Sequence, residues 1–563
     1  MTVTEAASAP TEPTTTRSRR YTVNRGDVIA IAVLLLALLL PLRGLLRAPG
    51  PPMEEGFMLV FPELVLHGEI PNLDFLHLYG PGSLWVLAAV FKVLGTSLTS
   101  ERLVGLVQQL AVVFGVFALA RRWGRVVGLA CGLLAVLFVV PLGLNALAWL
   151  GAVGLGVLAL VAGGASRDAR DARRAQTMAL VAGLLMGAAL LYRIDLVLAA
   201  VLSTLALGWG SPRAARRRFA LGLGVGLAPY LVHLITAGPD TVVRGMITDP
   251  LFKLRGGRRL PIPPPWGHFN SAIQSVADLI KLRWPIPTLP GPAQLTVWFF
   301  LLLAAIAALA AVGIRAVRRR PNAIRPRVLL AAAGFSLGIL PQALQRADGT
   351  HLAWVSCVAV ALIPVAVVEF LTDRHPGWNP RSVGLAAGAA ILVALVLLIP
   401  DNTLRGYTSY SAQTFDLHRA SYAMSNRGRT FYYGRPDDAR AANQMARVVD
   451  RIAPSGGRLF VGTQDLRKTP ESDAFFYYLF PQLTPSTYYI EMDPGVANAK
   501  DSGLANEVRN SDLLILSSAW DYWSEPNDSR KVGPDGPNQV VRARFCLVGR
   551  YGPHYELFRR CHR

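Results

Sequence analysis

Apolar residues up to Pro400 fall into long uninterrupted runs, and the stretches between the runs are short and rich in arginine. A hydrocarbon layer about 30 Å thick takes about 20 helical residues, so runs of this length read as membrane-crossing helices. Eleven segments fit, near 28–46, 102–120, 125–142, 145–164, 177–192, 195–210, 219–236, 294–314, 328–344, 352–371 and 383–400. An odd number places the two chain ends on opposite sides. The turns at Arg121-Arg122, 166–174, 213–218, 315–327 and 374–381 then share one side, and their basic residues make it the cytoplasmic one. Residues 1–27, rich in Thr, Ser, Pro and Ala, read as a disordered cytoplasmic tail. The apolar run after them is too long for a signal peptide and has no small-residue cleavage site behind it.

Three segments are expected outside: 47–101, 237–292 and everything after Pro400. Within the first, 75–94 reads as interfacial helices or a re-entrant pair. From Asp401 the long apolar runs stop and shorter alternating elements take over. Helices are expected near 437–452, 471–480 and 498–510, strands near 458–462, 487–491 and 513–517, and a terminal hairpin over 545–559. Alternation of this kind predicts a C-terminal extracytoplasmic α/β domain over 401–563, following a transmembrane domain over 28–400. No glycine-rich fingerprint or P-loop follows its strands, so a nucleotide site is not expected.

Composition agrees with this plan and removes alternatives. The chain has 563 residues, 52% apolar and 17% charged, which excludes general disorder. Its net charge of +21 fits nucleic acid binding in principle. The basic clusters sit between apolar runs, however, where topology and anionic lipid account for them, so no nucleic acid partner is expected. Four cysteines exclude a disulfide scaffold. Cys546 and Cys561 are placed to close the terminal hairpin, whereas Cys131 and Cys357 fall in spans as packing residues.

Charged groups at the outer ends of spans are the first candidates for chemistry. Glu54-Glu55 follows the first span. A carboxylate pair of this kind serves as a general base, or as a solvated turn or an arginine's partner. Asp74, His77 and Tyr79 lie in the run Asn72-Leu73-Asp74-Phe75-Leu76-His77-Leu78-Tyr79-Gly80-Pro81. Arg193 and Asp195, and likewise Arg346 and Asp348 with His351, occupy two outer turns as site groups or as ion pairs tying helix ends. The 237–292 loop is basic on the side where basic residues are scarce. Its run of Lys253, Arg255, Gly256, Gly257, Arg258 and Arg259 beside the prolines at 261–265 suits an anion, since glycines let backbone close in and guanidinium forks bind phosphate oxygens in pairs.

The acidic pair after the first span, the Asp74-Phe75 and Tyr79-Gly80-Pro81 steps before Trp85, and Glu101-Arg102-Leu103 opening the second span together resemble the GT-C superfamily of membrane glycosyltransferases. That superfamily includes protein O-mannosyltransferases, lipid A aminoarabinose transferases and actinobacterial arabinofuranosyl- and mannosyltransferases. The resemblance covers roughly the first 240 residues and the outer Arg, Asp and His group. The usual Asp-Glu pair is Glu54-Glu55 here, and Glu54 matches the position assigned to catalysis. The resemblance implies transfer of a sugar, arabinofuranose or mannose, from a polyprenyl-phosphate carrier to a glycan, lipid or protein acceptor of the cell envelope, at the outer face of the plasma membrane. It further implies Glu54 or Glu55 as base, and Lys253, Arg255, Arg258, Arg259 and Arg346 on the donor phosphate. Asp74, His77 and Tyr79 orient the acceptor or hold a divalent cation, with Arg193, Asp195, Asp348 and His351 in support. Two other classes compete: a lipid or glycan flippase, against which no paired broken helices stand in two halves, and a non-catalytic wall-binding scaffold, which leaves Glu54, Glu55 and the basic loop without a task.

Overall fold

The structure is a computed structural model that describes residues 25–267, 280–521 and 525–561. The disordered tail expected over 1–27 lies almost wholly outside these residues. Among the described residues ten helices are long and apolar enough to cross a membrane: Arg25–Leu45, Leu98–Trp123, Arg125–Leu142, Ala148–Asp168, Ala172–Tyr192, Arg213–Ala237, Gly291–Arg319, Ile324–Gln345, Gly349–Arg374 and Pro380–Leu398. The remaining expected span, near 195–210, is the shorter apolar helix Ile194–Gly208. The protein is thus a polytopic helical membrane protein with a C-terminal sheet-bearing domain.

The bundle is drawn together by small residues as well as by apolar bulk. Helices Ala172–Tyr192 and Arg213–Ala237 cross where Gly183 and Gly187 face Gly222 and Gly226. A Cβ at Gly183 would stand 2.0 Å from the Phe219 carbonyl oxygen, and one at Gly222 2.1 Å from that of Leu180. Only glycine permits this approach, a spacing that brings helix backbones into contact in lipid.

The basic turns gather at one end of the bundle. Arg121 pairs with Asp27 (2.5 Å), Arg122 with Asp168, Arg319 with Asp373 (2.7 Å) and Arg320 with Glu369. At the other end lie segment 47–101, the described residues of segment 237–292 and the sheet-bearing domain. The first is not a pair of interfacial helices over 75–94, but one helix, Gly82–Leu94, begun at Pro81. It is preceded by helix Glu54–Leu66, whose acidic first turn suits the positive end of a helix dipole. The second continues as helix over 239–258, with a π-helical stretch Arg244–Leu254 around Pro250. Proline lacks the N–H and crowds the preceding turn, and the wider π-helical turn accommodates both defects.

The sheet-bearing domain has strands β1 (Tyr422–Asn426), β2 (Arg429–Tyr433), β3 (Arg458–Thr463), β4 (Thr484–Pro485), β5 (Leu513–Ser517), β6 (Phe545–Tyr551) and β7 (Tyr555–Arg560). β1 and β2 form a hairpin, and the main sheet has the order β4-β3-β5-β7-β6, parallel over its first three strands and antiparallel over the rest. The strand expected over 487–491 is irregular instead. Its backbone is taken by the first segment: Leu76 N–H donates to the Tyr488 carbonyl (2.8 Å) and the Tyr488 hydroxyl donates to the Asn72 carbonyl (2.9 Å). The helix expected over 498–510 shortens to Leu504–Arg509, started by Gly503 at φ 78°. That over 471–480 shortens to Phe475–Leu479.

Segment 47–101 and the sheet-bearing domain share one hydrophobic core. Phe57 stacks on Phe61 (5.1 Å), Phe61 on Phe75 (4.6 Å), and the same cluster runs on through Phe431, Phe475 and Leu514. Gly56 makes the junction, because a Cβ there would lie 2.5 Å from the Phe475 nitrogen. The helix that begins with Glu54 is therefore fixed by the domain at the far end of the sequence.

Cys546 and Cys561 are disulfide-bonded across β6 and β7, with 15 residues of separation. Such a loop constrains the unfolded chain by about 3 kcal/mol. Cys546→Ser is expected to lower the unfolding free energy of the sheet-bearing domain by about that amount, read as the shift in denaturant midpoint with and without reductant. Equal midpoints would contradict it.

Candidate active site

Between the bundle and the sheet-bearing domain is a cavity of about 1120 Å³, walled by Glu54, Tyr79, Arg193, Asp195, Arg255, Arg258, Lys281, Arg346, Asp348, His351, Glu491 and Asp493 among apolar side chains such as Met53, Leu251, Leu295 and Trp354. It joins every segment that the charge pattern assigns to one side of the membrane.

Glu54 opens helix Glu54–Leu66 and is half-buried on the cavity wall. Burial holds its carboxyl above the usual range, a shift that Arg258 and Arg346 oppose and Asp493 reinforces. Glu55 turns the other way. Its oxygens accept from Arg102 Nε and Nη2, both at 2.8 Å, and Arg102 also donates to the carbonyls of Leu45 (3.0 Å) and Ala48 (2.9 Å). Glu55 and Arg102 are 1% and 2% exposed, and neither borders the cavity. The acidic pair thus divides: one carboxylate faces the cavity and the other braces the chain between the first span and helix Leu98–Trp123.

The two Arg-x-Asp turns are built alike. Arg193 and Arg346 each end a helix in extended backbone and fold onto the aspartate two residues on. Arg193 donates to Asp195 (3.0 and 2.7 Å) and lies over the Tyr79 ring at 4.2 Å. Arg346 donates to Asp348 (3.1 Å), to both oxygens of Glu525 (2.9 and 2.6 Å) and to the Arg258 carbonyl (3.0 Å). Asp348 caps helix Gly349–Ala359 through the His351 N–H (2.9 Å) and also meets His351 Nδ1 (2.8 Å). Arg258 donates twice to Asp493 Oδ1 (2.8 and 2.5 Å). Arg258 and Arg346 therefore already have carboxylate partners, supplied by the sheet-bearing domain. Arg255 and Lys281 also line the cavity, and neither has an ion pair among the described residues.

Several expected site residues stand elsewhere. Asp74 is exposed and accepts the Ile70 N–H (2.7 Å), closing its own turn. His77 is fully buried edge-on to Phe61 (5.7 Å) and Tyr79 (5.6 Å), and burial pushes it down to about 3, so it stays neutral and packs. Lys253 pairs with Asp249 (3.1 Å) and Arg259 is exposed, both off the cavity wall. Among the described residues no three His, Cys, Asp or Glu side chains stand together as metal ligands. The sequence reading missed Glu491, Asp493 and Glu525. They lie on irregular chain in the last domain, where no periodic signal marks them. Arg102 carried a signal, as a charged residue at the opening of the second expected span.

No family model matches the chain, and no curated protein matches it. Among solved structures it is similar to ArnT of Cupriavidus metallidurans bound to undecaprenyl phosphate, with 16% identity over 94% of this chain and 97% of that one, and a TM-score of 0.51. The oligosaccharyltransferase of Archaeoglobus fulgidus, in complex with Zn and sulfate, aligns at 12% identity over 92% of this chain and 72% of that one, with a TM-score of 0.45. The first of these likenesses establishes the fold, which the chain shares with the ArnT structure over nearly its whole length.

Proposed function

We propose that the protein is a glycosyltransferase that moves a sugar, mannose or arabinofuranose, from a polyprenyl-phosphate carrier to a cell-envelope acceptor. In this reading it works at the outer face of the plasma membrane, with its N-terminus cytoplasmic and its sheet-bearing domain outside. One observation carries the proposal: a half-buried carboxylate, Glu54, shares the wall of one large, partly apolar cavity with two cations, Arg255 and Lys281, that have no carboxylate partner among the described residues. The undecaprenyl phosphate bound by the ArnT structure supports the choice of carrier.

Glu54 takes the proton of the acceptor hydroxyl as that oxygen forms its bond to the anomeric carbon. The bond from that carbon to the phosphate oxygen breaks, and the phosphate leaves with the electron pair. A direct displacement of this kind inverts the anomeric centre. The growing charge on the phosphate is met by Arg255 and Lys281, which answer it more strongly in a cavity with apolar walls than in water. Arg258 and Arg346, held by Asp493, Glu525 and Asp348, set the field around Glu54 and anchor the covering domain. Glu55 is assigned to bracing and Arg193 to positioning Tyr79.

Donor binding tests this assignment. Hydrogen bonds to charged groups contribute about 1.5–3 kcal/mol, so Arg255→Ala and Lys281→Ala are each expected to weaken polyprenyl-phosphate binding by roughly tenfold or more. The loss should shrink as salt rises. Binding by both variants within twofold of the wild type would remove the phosphate from this wall.

A further inference from the structure

The cavity has a second chemical character opposite its cations, and the sheet-bearing domain supplies it. Glu491 is 4% exposed and Asp493 3% exposed, and both border the cavity. Arg258 uses only one oxygen of Asp493, and Oδ2 is buried with no hydrogen-bond partner among the described residues. Glu491 Oε2 is likewise buried and without a partner. Buried acceptors are normally satisfied, and two left open side by side on a cavity wall call for donors brought by a ligand.

The geometry points to Glu491 and Asp493 as the acceptor subsite, one that takes a hydroxyl-rich glycan end in preference to an isolated alcohol such as a serine side chain. This rests on the glycosyltransferase reading of the same cavity. A sugar ring offers adjacent hydroxyls at fixed separation, each able to donate to one of the open carboxylate oxygens, while a lone alcohol spends its one proton on the base. A metal ion would also satisfy carboxylates, but among the described residues no group of three His, Cys, Asp or Glu side chains is arranged to hold one. The two residues arrive on irregular chain that segment 47–101 holds through the Tyr488 carbonyl and hydroxyl, so the subsite is fixed relative to Glu54. The Glu491 carboxyl fits the same picture: burial, then Asp493 and Glu54, push it up, and a neutral polyol tolerates either protonation state.

The test measures binding, which is independent of turnover. Purified full-length protein in nanodiscs is titrated with synthetic linear mannosyl and arabinofuranosyl tetrasaccharides, and with a serine-containing peptide for comparison. The wild type is expected to bind at least one tetrasaccharide and to bind it tenfold or more tightly than the peptide. Glu491→Ala and the isosteric Glu491→Gln should each weaken that binding by tenfold or more with an unchanged unfolding midpoint. Unchanged tetrasaccharide binding in both Glu491 variants, no tetrasaccharide binding by the wild type, or preference for the peptide would each overturn the inference. Sugar transfer scored in parallel separates the two claims: saccharide binding that depends on Glu491 without any transfer from polyprenyl carriers would sink the glycosyltransferase reading and leave the subsite standing.

Discussion

Arg102→Ala is expected to destabilise the protein by about 3–5 kcal/mol, the range measured when one member of a buried ion pair is removed. The substitution strands Glu55 at 1% exposure and releases the carbonyls of Leu45 and Ala48, which Arg102 holds at 3.0 and 2.9 Å. These contacts tie the end of the first span to the start of helix Leu98–Trp123 and to the turn that presents Glu54. Thermal unfolding of the purified protein should therefore show a large drop in midpoint. The double change Glu55→Gln with Arg102→Met removes both charges and should recover part of the loss, since the penalty comes mainly from the uncompensated carboxylate. A single variant as stable as the wild type would mean that the pair does not brace this junction.

Glu54→Gln is expected to lower the transfer rate by roughly 10²–10⁴-fold, the contribution of a positioned general base, while leaving the unfolding midpoint and donor binding close to those of the wild type. The wild-type pH profile carries the matching signature. The active form of the base is the carboxylate, and burial raises the Glu54 pKa. The rate should then fall as pH drops through a value above the ordinary carboxylate range, and the acid limb should vanish in Glu54→Gln. A limb retained in the variant would assign it to another group. Glu55→Gln separates the two carboxylates, because it should cost stability through Arg102 and leave the rate per folded molecule largely intact.

The membrane plan was legible because the bilayer imposes it. Every backbone polar group in hydrocarbon needs an internal partner, so apolar runs near 20 residues have one structural outcome, and the arginine turns sorted themselves to one end. Segment Ile194–Gly208 was legible for the same reason despite its shorter length. Within the last domain, β5 over Leu513–Ser517 and the β6–β7 hairpin followed from branched and aromatic runs. The β1–β2 hairpin was missed although its turn is marked: Arg427 and Gly428 both have positive φ, at 46° and 79°, as a two-residue hairpin requires.

The site was legible only by halves. Residue type located Glu54, Arg255, Arg258 and Arg346, yet adjacency in sequence cannot say that Glu54 and Glu55 point opposite ways from the first turn of one helix. The fates of Asp74 and His77 depend on a local turn and on a core completed by Phe61, neither of which a polar motif encodes. Asp493 and Glu525 meet the cavity arginines Arg258 and Arg346 through ion pairs across sequence separations of 235 and 179 residues, and one sequence holds no trace of such pairings.

The most direct test of the central claim is transfer itself. Purified wild-type protein is given polyprenyl-phosphate mannose or polyprenyl-phosphate arabinofuranose with labelled sugar, together with an oligosaccharide acceptor. The cavity chemistry predicts that label moves from at least one carrier to the oligosaccharide while free polyprenyl phosphate accumulates in equal amount. Carrier that binds yet keeps its sugar, or that only crosses the bilayer intact, would contradict it.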